Sequence, residues 1–179
     1  LQSNYLPNTS WDFTQIEYEG VLVAEPVPVL IGKRKGEDEK DGVHYLVLET
    51  KHAPKPADLA EFHLKPVTIS GSRIADSNEA VDLIALLGLD QIKLAEGEAK
   101  NPLPSAETKE VTLRGEIIDS KCALGAMNPA LFKPHRACAI RCISGGIPPL
   151  LRLKHEDGSM TYHLLVGAEG QMINQEILD

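Results

Sequence analysis

Three observations predict a mainly β protein with short helices, arranged as two small units. Short runs of strand-forming residues recur along the 179-residue chain, parted by glycine and proline, as in EYEGVLV from Glu17 and HYLVL from His44. The stretch 96–110 (EGEAKNPLPSAETKE) carries two prolines, many charges and almost no large apolar side chain, which reads as a linker. The third observation is an internal echo. Residues 26–49 and 147–167 share one order of features: proline, an apolar run, basic residues, a charged turn with glycine, then HYLVLE or YHLLVG. The strands EYEGVLV and LRGEIID open the two halves in the same way. A duplicated β unit accounts for the pattern. Short strands, a glycine-bearing first strand and one helix per unit match a five-stranded OB-like barrel. The expectation is one barrel over residues 1–98 and a second over 99–179, the second carrying a Cys/His insertion at 119–147.

Taken in order, residues 1–16 are polar and turn-rich and read as a loosely held arm. Tyr18 to Val23 and Val27 to Ile31 read as two strands parted at Pro26, and the charged run 33–42 (KRKGEDEKDG) as a solvated hairpin loop. His44 to Leu48 gives a third strand, Ala57 to Phe62 a short helix, and Pro66 to Ile74 another strand. Asn78 to Leu87 places Ala80, Val81, Ile84 and Leu87 at helical spacing and ends at Gly88, so it reads as a helix. Gln91 to Ala95 closes the first unit. In the second, Val111 to Ile118 reads as a strand. Pro148 to Leu153 and Tyr162 to Val166 form two more, joined at the turn His155–Gly158.

Composition narrows the function. Apolar content of 42% and charged content of 25% are ordinary for a globular protein. A net charge of −8 and only 4% aromatic residues argue against nucleic-acid binding, which needs a basic face and stacking platforms. The longest apolar run, Leu83 to Leu89, is too short to cross a bilayer. The opening Leu1-Gln2-Ser3-Asn4 has the look of a protease scar, so a native leader is expected to have been removed. No Gly-rich phosphate loop, G-x-S-x-G elbow or H-E-x-x-H motif is present.

Chemistry concentrates in Ser120 to Pro149, which holds all three cysteines, Cys122, Cys138 and Cys142. Pro134 to Ile143 reads as a helix with Gly145 just beyond its end, putting His135, Cys138 and Cys142 on one face. Cys122 arrives from the preceding loop. Four such ligands suit zinc or copper, and Met127 and His163 are further candidates. Asp119 is placed to hold a ligating histidine. Arg136 and Arg141 flank the thiols and favour thiolate, while Gly145 and Gly146 allow close backbone approach. Two other readings stand beside this one. A disulfide from Cys122 to Cys138 or Cys142 would staple a long insertion, serving a structural or protein-interaction module. Alternatively, Cys138 or Cys142 is the nucleophile of a thiol oxidoreductase.

The segment Gly115 to Leu151, about a fifth of the chain, resembles an uncharacterised group of exported or membrane-associated bacterial proteins. Their signature is KCxxGxM followed by HRxCAxxCIxGGxPP. The resemblance implies that Lys121, Cys122, Gly125, Met127, His135, Arg136, Cys138, Cys142, Gly145 and Gly146 form one functional region. The reading is therefore a non-catalytic metal-binding or redox accessory module of the bacterial cell envelope, periplasmic or membrane-associated, serving a protein partner there.

Overall fold

The computed structural model describes residues 9–38, 40–76, 81–97, 108–127 and 130–178. Its first half is a closed five-stranded barrel. The strands are β1 (Thr9–Val23), β2 (Val29–Arg34), β3 (Gly42–Leu48), β4 (Lys65–Asp76) and β5 (Asp82–Leu86). They lie in the order β1-β2-β3-β5-β4, and β1 pairs again with β4 to close the ring. All pairs are antiparallel except β3 with β5. A short β6 (Ile92–Leu94) adds to the part of β4 that β5 leaves free.

Closure depends on β1, which pairs with β4 along nearly its whole length and with β2 from Tyr18 onward. Where the three strands meet, Gly20 lies opposite Gly32. A Cβ on Gly20 would sit 2.4 Å from the Ile31 carbonyl oxygen, so only glycine lets the backbones pass this closely. The expected loose arm is corrected here: residues 9–16 belong to β1, and the rest of that arm lies outside the described residues.

The barrel interior is filled by Tyr18, Leu22, Leu30, Leu46, Ile69 and Leu86, with Leu59 of the 3-10 helix Pro56–Phe62 packed against them. A second core lies on the outer face of the same wall. There Val47, Ile74, Leu83 and Ala85 meet Ile118, Leu124, Leu131, Cys142, Ile147 and Leu150 from the second half. Along β5, Leu83 and Ala85 face outward to this core and Ile84 and Leu86 inward. A strand buried on both faces loses the period-two signature. That is why LIAL, expected within a helix, is a strand; residues 77–80 of the expected helix lie outside the described residues.

The second half is an open three-stranded antiparallel sheet. It contains β7 (Glu116–Asp119), β8 (Pro149–Lys154) and β9 (Met160–Leu164) in that order. The helix α1 (Phe132–Ser144) packs on β7. The expected second barrel does not form among the described residues, and the duplication is not supported by the structure. Among the described residues after β9 there are only turns and the short helix Glu176–Leu178, and none of them adds a strand to the sheet. The β8–β9 hairpin carries the echoed pattern, yet it covers the first barrel's wall rather than rolling into its own. β7 is also shorter than expected: Val111 and Leu113 are exposed, with no sheet to pack on. Residues 98–107 of the expected linker, and the 98/99 boundary with them, lie outside the described residues.

The strand assignment of β5 has a direct test. Leu83, fully buried, loses about 2–5 kcal/mol of stability on Leu83→Ala. Leu87, 67% exposed, loses less than about 0.5 kcal/mol on Leu87→Ala, as a surface change does. Chemical denaturation of the two variants measures both; a large loss at Leu87 would restore the helix.

Candidate functional site

β7 ends on Asp119, and the chain turns at once into a wide π-type turn, Cys122–Ala126. One oxygen of Asp119 (Oδ1) accepts the Cys122 backbone N–H at 2.8 Å, capping the turn. The other, Oδ2, accepts from His135 Nε2 at 2.9 Å. Both side chains are buried, Asp119 at 0% and His135 at 4% exposure. A carboxylate so enclosed is tolerated because each oxygen has a partner. This one group fixes both the Cys122 turn and the first turn of α1.

Cys138 and Cys142 lie one turn apart on the same helix face, three and seven residues beyond His135. Their sulfurs and that of Cys122 all lie within 4.8 Å of one another. The Cys122 and Cys142 sulfurs are 3.8 Å apart, far outside the ~2.05 Å of a disulfide. All three cysteines are free thiols, so the stapling disulfide is not formed. A second group joins the first through a shared member: Asp119, Cys122 and His135 also offer ligand atoms within 4.8 Å of one another. Either group is close enough to hold one metal ion.

Two lysines face the sulfurs. Lys51, on the loop after β3, donates to Cys138 Sγ at 2.7 Å, and this bond holds its ammonium above the usual lysine range. Lys121 is 4% exposed. Its ammonium donates to the carbonyls of Leu48 and Thr50 and stands 4.9 Å above the Trp11 ring. Burial pulls its pKa down to about 8, against the attraction of Cys122 and Cys142. The buried thiols share a proton. A hydrogen bond from Cys122 draws Cys142 down to about 7; the same bond, burial and the Asp119 charge push Cys122 up.

The loop carrying Lys51 docks on the end of α1. Ala53 N–H donates to the Gly145 carbonyl at 3.1 Å, and a Cβ at Gly145 would lie 2.2 Å from the Lys51 carbonyl oxygen. Gly146 follows with φ +92°, a conformation that L side chains rarely adopt. Asn174 closes the far side, its Nδ2 donating to the carbonyls of Ile143 and Ile147.

The expected residues therefore separate. Cys122, Cys138 and Cys142 converge, with Lys121, Gly145 and Gly146 around them. His135 is beside Cys122 and bonded to Asp119. Met127 is exposed after the wide turn, and His163 is exposed on β9 opposite Leu151. Arg136 and Arg141 are exposed on α1, and the cation bonded to a cysteine sulfur is Lys51. Sequence reasoning missed Lys51, Trp11 and Asn174. Lys51 is 87 positions from Cys138, and nothing local in KHAPKP marks it. No known protein family, no curated protein and no solved structure matches the chain.

Asp119→Ala removes both bonds at once and leaves His135 buried without its carboxylate, so it costs about 3 kcal/mol. Arg136→Ala, on the exposed side of the same helix, leaves the urea midpoint unchanged. If the two variants unfold at the same urea concentration, the Asp119–His135 bond does not organise the site.

Proposed function

We propose that this chain is a non-catalytic accessory module of the bacterial cell envelope that holds a soft metal ion, zinc or copper, on Cys122, Cys138 and Cys142. The observation that carries this reading is the sulfur spacing. Two thiolates each about 2.3 Å from a tetrahedral ion stand about 3.8 Å apart, the separation of Cys122 and Cys142. Thiolates are the ligands that select zinc and monovalent copper. In this reading His135, which groups with Asp119 and Cys122 rather than with all three sulfurs, supports the site through its bond to Asp119, whose other oxygen holds the Cys122 turn. Lys51 and Lys121 offset part of the thiolate charge before the ion arrives. The cell-envelope setting and a protein partner there rest on the resemblance of residues 115–151 alone.

Titration of the reduced, chelator-stripped protein with zinc, and separately with monovalent copper under a competing ligand, tests the reading. One ion binds per chain. Cobalt substitution gives sulfur-to-metal charge-transfer absorption, lost in Cys122→Ser and Cys142→Ser. Asp119→Asn weakens the affinity by about 10–100-fold. A reduced protein that retains no ion at micromolar concentration would falsify the proposal.

A further inference from the structure

The three thiols differ in access, and that difference assigns them different work. Cys122 and Cys142 are buried at 3% and 0% exposure, in one core with Leu124, Leu131 and Ile147. Cys138 is half-buried, the one thiol of the three open to solvent. It is also the one whose sulfur accepts a hydrogen bond from an ammonium, that of Lys51 at 2.7 Å. A molecule arriving from solvent meets Cys138 and cannot reach the other two.

We propose that the cluster is a thiol–disulfide relay for small-molecule disulfides, in which Cys138 receives the oxidant and Cys122 and Cys142 store the resulting disulfide. The Cys138 sulfur attacks one sulfur of the external disulfide; a Cys138 mixed disulfide forms and one small thiolate leaves. Cys142, within 4.8 Å, then attacks the Cys138 sulfur and expels the second small thiolate. Finally Cys122 attacks the Cys142 sulfur, and Cys138 departs as thiolate. The external disulfide is reduced to two thiols, which carry away the two protons that Cys122 and Cys142 lose. The protein gains one disulfide, and Cys138 ends as it began.

Geometry decides where the oxidation rests. Side chains one helical turn apart have Cβ atoms about 5–6 Å from each other, whereas a relaxed disulfide wants about 3.5–4.5 Å. A Cys138–Cys142 bond would strain α1. Cys122 and Cys142 lie on different elements, and their sulfurs, at 3.8 Å, need only a small approach. Once formed, the pair is buried and shielded from outside thiols. Oxidation also removes two of the three sulfur ligands, so it governs release of the ion; that consequence rests on the metal-holding reading, while the relay rests on the thiols alone.

The experiment uses the full, reduced, metal-stripped chain with oxidised glutathione as the disulfide. Aliquots are trapped by alkylation and the linkages mapped by peptide mass spectrometry. The expected product links Cys122 to Cys142, with Cys138 alkylated. Cys138→Ser reaches the same product about tenfold or more slowly, because the exposed attacking thiol is gone. The double variant Cys122→Ser/Cys142→Ser, which removes both thiols within reach of the Cys138 sulfur, accumulates a glutathione adduct on Cys138, which does not depend on how Cys138→Ser folds. Lys51→Met slows adduct formation in that background. Wild-type oxidation rates in Cys138→Ser, or a first adduct on Cys122, overturn the relay. Zinc titration of the same reduced sample separates the two ideas. A chain that binds zinc but forms no Cys122–Cys142 bond sinks the relay, and one that forms the bond without ever binding zinc sustains the relay and sinks the metal site.

Discussion

A carboxylate with no exposed surface organises the second half of this molecule. Asp119 sits at the end of β7, where both of its oxygens are turned away from water. A charge placed there survives only if donors replace the lost hydration. One donor is the Cys122 backbone N–H, which starts the wide turn. The other is His135, which sets how α1 lies on the sheet. Because Cys138 and Cys142 follow His135 by one and two turns, fixing the histidine also fixes where their sulfurs point. The thiol cluster is thus a consequence of satisfying Asp119.

The second constraint is that one wall of the barrel serves two cores. Leu46, Ile84 and Leu86 fill the barrel, while Val47, Leu83 and Ala85 on the same strands meet the second half. Each strand of that wall is protected on both faces, and the open sheet beyond it needs no partner of its own. This explains how far the sequence could be read. Strands with one wet face, such as β9, whose exposure alternates residue by residue, keep their period and their turn signal, and they lie within two residues of where the pattern places them. β5 has no wet face, so its apolar run fits a helix equally well. The second barrel misleads for a related reason. β8 and β9 repeat the local hairpin pattern, but closure depends on a long first strand pairing on both edges, as β1 does, and β7 has four residues.

Legibility at the site divides along the same line. Contacts within Ser120 to Pro149 follow from helix periodicity, and the Cys138–Cys142 face and the Gly145 stop could be read from spacing alone. Asp119 also announced itself, by standing three residues before Cys122. Lys51 and Trp11 could not be read, because they reach the cluster only through docking of the two halves. The flanking Arg136 and Arg141 drew attention instead, since in sequence they are the nearest cations. On a helix, adjacency in sequence turns side chains away from one another, and both arginines point to solvent.

That docking makes the site depend on tertiary structure as a whole. The Leu48 carbonyl ends β3, Thr50 and Lys51 belong to the loop that leaves it, and the sulfurs belong to the second half. Lys121 is the reciprocal tie, reaching from the cysteine turn into the barrel's loop and over the Trp11 ring. Its ammonium is buried and its carbonyl partners are dipoles, so its charge is compensated in part by the thiolates themselves. Anything that alters the charge on the sulfurs, an ion or a disulfide, therefore alters the electrostatic support of the junction. An ion bound by the folded chain and not by the unfolded one stabilises it by about 2.7 kcal/mol at a hundred times its dissociation constant. Because the junction is where the cluster's ligands and cations meet, that stabilisation falls on the contact between the two halves. Site chemistry and the docking of the halves are accordingly one equilibrium, held at Lys51 and Lys121.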